Sequence, residues 1–334
     1  MNATGSHGLA RNGIFTHCRR SVCGVAFLGW IVAAFADDGW ERAIFTITEE
    51  NDSRLSDRHY TQGAKLSFLS SDYGNDGGFA ARVPSIGYKA ERWKWGVEAG
   101  QMIFTPEDIA ESKAIPGDRP YAGWLYGGLV FQQRGTNAQG SGIMETFRFY
   151  GGIVGEDSQA AETQIWWHHI FGFQRPNGWR HQLKTELGFQ LRYDRRHRYA
   201  AGNDAGWSVQ LIPEAGVNLG NVRIDAHLGA VLRGGYNIPN EFGLGAGGDG
   251  ADFGCHLFAG VSGSAVALDI FLDGNNFRRS ANVDKKPLVG EMRGGIAFTW
   301  RHAEVAVTHV RRSDEFETQR ESDGFTSVAV SVKF

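Results

Sequence analysis

The chain is poor in cysteine, in proline and in long apolar runs. It holds 3 Cys and 8 Pro in 334 residues. Cys18 and Cys23 lie in an N-terminal leader, and Cys255, the only cysteine beyond it, has no internal partner and offers no metal-site spacing. A disulfide scaffold is therefore excluded. After Ala36 no apolar run reaches the roughly 20 residues that a transmembrane helix requires. Mean hydropathy, −0.32, is also too polar for a helical membrane protein. Charge of one sign is lacking too: 34 Lys and Arg against 37 Asp and Glu leave a net charge of −3, without the basic footprint of a nucleic-acid-binding protein. There is no Gly-x-Ser-x-Gly elbow, Walker loop or His-Glu-x-x-His helix.

What is present is glycine (46 residues) and aromatic side chains (12%), a composition suited to many paired strands. Arg11, Arg19 and Arg20 precede a short apolar run from Val22 that ends at Ala34-Phe35-Ala36, a small-x-small cleavage pattern. Residues 1–36 read as a secretory signal peptide, and the Arg19-Arg20 pair matches twin-arginine export poorly. Residues 37–334 remain as one domain. The last ten residues alternate strictly: Thr326, Val328, Val330, Val332 and Phe334 on one face, Ser327, Ala329, Ser331 and Lys333 on the other. A closing strand with a terminal Phe resembles outer-membrane proteins.

The same period, less strict, recurs between turn signals such as Gly135-Thr136-Asn137 and Gly220-Asn221. It predicts twelve strands starting near residues 42, 61, 93, 121, 143, 181, 206, 222, 254, 289, 303 and 325. The expected fold is all-β: a twelve-stranded antiparallel transmembrane β-barrel in a Gram-negative outer membrane, with both termini on the periplasmic side. Trp93, Trp95, Trp124 and Tyr126 are expected in interfacial girdles. A soluble sandwich or lipocalin-like barrel shares the alternation, but not the leader or the terminal Phe. A closed barrel leaves no free edge, so a monomer is expected. One stretch, Ser158–Phe173, lacks turn residues until Gly172 and predicts a short helix in an extracellular loop, of a kind that builds a site over a barrel mouth.

Four clusters have chemical potential. Glu49-Glu50-Asn51-Asp52 ends the first strand, with Thr61 opening its neighbour. Glu50 and Asp52 share the lumen parity, and the oxygen-only donor set suits Ca²⁺, although a solvated acidic loop has the same composition. His168-His169 lies on the predicted helix, where a histidine serves as general base or an aromatic-rich helix, with Trp166 and Trp167, anchors in headgroups. Arg119, in Asp118-Arg119-Pro120, suits a phosphate or a rim salt bridge. Lys285 and Lys286 suit anionic lipopolysaccharide, or simply keep a loop soluble.

Taken in order, these pieces resemble the lipid A 3'-O-deacylase family. The matching stretches are Glu50-Asn51-Asp52, Asp57-Arg58-His59-Tyr60-Thr61-Gln62-Gly63, Asp118 to Trp124, and Gln164 with His168 and Gly172. They continue with Gly178-Trp179, Gln182-Leu183-Lys184, Phe258-Ala259-Gly260-Val261, Asp273-Gly274-Asn275 and Val283 to Pro287, across nearly the whole mature chain. The resemblance implies Ca²⁺ dependence, a lipid A substrate and an active site between the barrel wall and a loop helix. It puts Asn51, Asp52 and Thr61 at active-site and metal positions and His168 at the catalytic histidine. The spacing to Gly172 prefers His168 over His169. Two positions depart from the pattern. Gln174 stands where the family has an acidic residue, and Pro116 where it has a lysine, with Lys113 and Arg119 the nearest cations. The competing functions are a non-catalytic pore or structural barrel and an outer-membrane phospholipase.

Overall fold

The computed structural model describes residues 43–52, 59–74, 83–203, 206–239, 242 and 253–333. Residues 1–36, where a signal peptide is expected, and Phe334 lie outside them. The alternating segments form twelve long strands: β1 (Ile44–Asp52), β2 (His59–Leu69), β3 (Lys89–Thr105), β4 (Ala122–Thr136), β5 (Gly142–Val154) and β6 (Glu186–Gly202), then β7 (Trp207–Gly220), β8 (Arg223–Tyr236), β9 (Phe253–Asp269), β10 (Leu288–Trp300), β11 (Ala303–Arg312) and β12 (Asp323–Lys333). A two-residue strand, Tyr73–Gly74, adds to β3. Sequence neighbours pair antiparallel, and β1 pairs with β12 from Ile44↔Lys333 to Asp52↔Phe325, closing the barrel. The largest departure from the expected starts is at β6, expected near 181 and found at Glu186. A short turn, Trp179–His181, occupies the difference.

Closure satisfies every ladder without a free edge, which is what allows strands to cross lipid. Alternation then sorts the side chains. Leu129, Leu187, Phe189, Leu228, Leu257 and Met292 are exposed on the outer face, as a lipid-facing belt requires. Trp207, Phe253 and Trp300 extend this belt at the end that holds both termini, where Trp93 and Trp95 also lie. Trp124 and Tyr126 do not join a girdle. They take the opposite parity and stack at 4.4 Å inside the barrel. An ionised side chain facing lipid costs about 2–4 kcal/mol, and the strands turn paired charges inward: Arg148 with Asp194 at 2.8 Å, Arg196 with Glu214 at 3.1 Å.

Two helices decorate the end opposite the termini, the external one for an even-stranded barrel. α1 (Ala160–Phe171) confirms the predicted loop helix. It stops because Gly172, at φ 71°, takes the left-handed conformation, and the Gly172 and Phe173 N–H groups both donate to the His168 carbonyl. α2 (Ile270–Asp273) is a single turn whose entry is capped by Asp269 accepting from the Phe271 N–H. Ile270 and Phe271 insert among Tyr60, Phe104, Trp124 and Phe325, so the external mouth is filled by an apolar plug.

Above the plug, Glu315 is buried in a cage of cations. Burial pushes its carboxyl up, but Arg312, Arg119, Arg223 and His59 outweigh that and hold it at about 2. The folded value lies below the ordinary one of about 4.3. The contribution is therefore fully present above about pH 4.3 and is lost as pH falls toward 2. Acidification through that window should loosen the external loops before the strand ladders, and Glu315→Gln should flatten the response. Limited proteolysis of the refolded barrel between pH 5 and pH 2.5, with an acid-stable protease, measures it.

Candidate functional site on the outer wall

The site grows from the external rungs of β1 to β4. In β1, Asp52 is opposite Phe325, whose ring belongs to the plug, so Asp52 takes the lumen parity expected for it. Asn51 takes the other parity, opposite Thr326 and Gln62 on the outer wall. Glu50 accepts a hydrogen bond from the Tyr60 hydroxyl at 2.5 Å on the lumen side. The β2–β3 register shifts between Tyr60 and Gln62, which leaves Thr61 as the extra residue. Such a bulge re-aims one side chain. Here the Thr61 hydroxyl meets that of Thr105 at 2.6 Å, and both residues are buried.

Thr105 shares the outer face of β3 with Ile103, which packs with Ala160, Ala161, Tyr121 and Trp179. α1 therefore lies against the outside of the wall, over β3 and β4. Ala160, Ala161, Gln164 and His168 form its buried stripe, at the spacing of one helix face. Gln164 accepts from the Trp179 indole at 2.8 Å, and its own NH₂ is buried with no partner. His168 is 2% exposed, its Nδ1 is hydrogen-bonded to the Gln174 carbonyl, and its ring meets Phe173 edge-on at 5.8 Å. A carbonyl only accepts, so Nδ1 carries a proton, and in the neutral form of the ring the lone pair is on Nε2. His169, one position along, is exposed.

Close approach of α1 depends on Gly123. A Cβ there would lie 2.2 Å from Ala160 Cβ and 2.2 Å from Ser158 Oγ. Gly123→Ala should lift the helix and cost about 10²-fold in any activity that needs His168 in register. The barrel itself should still fold, because the new methyl points out of the ladder. Gel mobility of the unheated protein checks folding, and turnover checks the rest.

The cations singled out in the sequence are not presented to a phosphate. Arg119 is 1% exposed. It pairs with Glu315 at 3.1 Å and lies over the Phe104 ring at 4.8 Å, so the rim salt bridge is the arrangement found. Lys285 pairs with Asp273 at 2.9 Å within its own loop, and Lys286 with Asp314 at 3.2 Å ties that loop to the one between β11 and β12. Gln174 supplies its backbone rather than its side chain. The contact to His168 at this position is therefore made by a carbonyl, which any residue would provide. Gln164 drew attention only as a motif position. Its unpaired amide on the wall-facing stripe was not foreseeable from one sequence.

Among the described residues, no three His, Cys, Asp or Glu side chains are grouped as metal ligands. Asn51, Asp52 and Thr61 are an oxygen-only donor set of a different kind, but they are split by the wall: Asn51 and Thr61 lie on its outer side and Asp52 on its lumen side. Asn51 Oδ1, buried and without a hydrogen-bond partner among the described residues, suits a hard cation on the outer side.

A closed twelve-stranded barrel with a lipid-facing apolar belt defines an outer-membrane protein, and here it carries a helix that packs His168 against the outside of its wall. The chain belongs to the LpxR outer-membrane protein family, whose model, described as outer membrane protein LpxR, matches residues 22–334. Among solved structures, LpxR from Salmonella typhimurium is similar at a TM-score of 0.70 and 21% identity, covering 87% of this chain and 100% of that one. The β domain of the Bordetella autotransporter BrkA gives a TM-score of 0.46 at 10% identity, covering 89% of this chain and 100% of that one. No curated protein sequence matches the chain significantly.

Proposed function

We propose that the chain is a Ca²⁺-dependent lipid A deacylase that hydrolyses the 3'-linked acyloxyacyl ester, with His168 as general base. The observation that carries this reading is His168 itself, buried between α1 and the outside of the wall with Nδ1 engaged by the Gln174 carbonyl. Nε2 is then the nitrogen that takes a proton from water as the water oxygen attacks the ester carbon. The same nitrogen returns the proton to the sugar oxygen as the acyl C–O bond breaks. The Gln164 NH₂ is a donor for the carbonyl oxygen. Asn51 orients the water or the carbonyl. Asp52, turned outward from its lumen-side rung at the end of β1, and Thr61 would hold Ca²⁺, and the chemistry such an ion brings is polarisation of the ester carbonyl. A site on the outer wall receives a lipid sideways, so acyl chains need not cross water. The pore reading is opposed by the apolar plug in the external mouth.

The test is acyl release from lipid A in detergent micelles by the purified barrel. Release should stop with chelator and return with Ca²⁺. Release from phosphatidylethanolamine with lipid A left intact would replace this reading by the phospholipase one.

A further inference from the structure

The cations that the sequence suggested for phosphate contact are committed to carboxylates, but another group is not. Arg175, Arg180, Lys184, Arg278 and Arg279 are all exposed at the external end, and none has a carboxylate partner among the described residues. They follow one path. Arg180 adjoins Trp179, whose ring packs with Tyr121 beneath α1. The Lys184 N–H donates to Asn275 Oδ1 at 2.9 Å, while Asn275 Nδ2 donates back to the Lys184 carbonyl at 2.7 Å. Two residues later the loop tip presents Phe277, 78% exposed, followed by Arg278 and Arg279.

This tip is pinned rather than loose. The Glu186 carboxylate accepts from Asn276 N–H at 3.1 Å, Asn276 Nδ2 at 2.9 Å and Asn275 Nδ2 at 3.2 Å. Asn276 Nδ2 also reaches the Asn221 carbonyl in the β7–β8 turn at 2.7 Å. Gly274, at φ 83°, turns the chain into this position, where a Cβ would lie 2.8 Å from Ser280 Oγ. Holding a phenyl ring in water gains nothing for folding, and five solvated cations beside it gain little. Both make sense at the top of a lipid-facing wall. The tip sits at the rim above the exposed Leu187 and Leu219, where a ring enters the acyl boundary and guanidinium groups meet anionic headgroups. The fixed loop prepays the ordering that such contacts otherwise cost.

We infer that Phe277, Arg278 and Arg279, continued by Lys184 and Arg180 toward α1, form the surface that grips the phosphorylated headgroup of an outer-leaflet lipid. This rests on the deacylase reading for the identity of the lipid, and it assigns to this strip the phosphate contacts not made by Arg119, Lys285 or Lys286. Guanidinium groups suit phosphate because they donate in parallel pairs.

The experiment titrates the full barrel in detergent micelles with bis-phosphorylated lipid A and with its dephosphorylated form. Binding and acyl release are followed separately, for wild type, the double variant Arg278→Ala/Arg279→Ala, and Phe277→Ala. The double variant should bind the phosphorylated probe about thirtyfold more weakly, from the usual contribution of two basic residues at an anionic surface. It should bind the dephosphorylated probe as wild type does, and raise KM with kcat unchanged. Phe277→Ala should weaken both probes alike. Wild-type affinity for both probes in the double variant, or wild-type binding indifferent to phosphate, overturns the inference. Absence of acyl release by wild type would sink the deacylase reading alone, because the binding comparison needs no turnover.

Discussion

Replacing His168 by alanine is expected to lower deacylation by about 10²–10⁴-fold, the usual contribution of a positioned general base. The barrel should keep its folded mobility, since the imidazole contributes to no strand ladder. Neighbouring substitutions separate this role from simple packing. His169→Ala should leave activity within about twofold, because that ring points away from the wall into solvent. Gln174→Ala and Gln174→Glu should both stay near wild type, because the contact to Nδ1 comes from the main chain. If Gln174→Ala fell as far as His168→Ala, the side chain rather than the carbonyl would be the partner, and the assignment of Nε2 as the base would lose its support. Initial rates on lipid A micelles, with folding checked on the same samples, give the comparison.

The second large effect concerns stability. Glu315→Ala leaves Arg119, whose side chain is 0% exposed, without its carboxylate. Removing one partner of a buried ion pair costs about 3–5 kcal/mol, mostly the penalty of the charge left behind. The loss should appear as a lower urea midpoint for the external loops. The double replacement Arg119→Met/Glu315→Leu should recover most of it, since apolar side chains of similar volume fill such sites at little cost. An unaltered midpoint for Glu315→Ala would mean that Asp269 and Asp323, the other carboxylates that act on Arg119, already balance its charge. Because the cluster sits over the plug, Glu315→Ala should also make α2 accessible to extracellular protease.

The barrel was legible because its signal is local. Period-two alternation needs only the residues of one strand, so Thr326, Val328 and Val330 announced a lipid face before any partner was known. The helix was legible for a similar reason: Ala160 to Phe171 contains good helix formers and ends on Gly172. The wall-facing choice of His168 over His169 followed from that glycine. What failed depended on distant partners. Arg119 looks like a rim cation until Glu315, nearly two hundred positions later, is seen beside it, and Lys285 and Lys286 until Asp273 and Asp314 are. Trp124 and Tyr126 look like girdle residues because aromatic identity does not reveal which face of the strand is turned inward. Gln174 stands out as a departure because a sequence shows side chains, whereas the group in contact with His168 is a carbonyl. The Phe277 tip was hidden for the converse reason: its pin, Glu186, belongs to a strand far away in sequence.

Action of an outer-wall histidine on lipid A is read out by mass spectrometry of lipid A from a Gram-negative host expressing the wild-type chain or His168→Ala. Wild type should remove the mass of an acyloxyacyl group, and His168→Ala, folded and present in the outer membrane at equal level, should leave lipid A intact. The same loss of mass from both proteins, or intact lipid A with both, would contradict it.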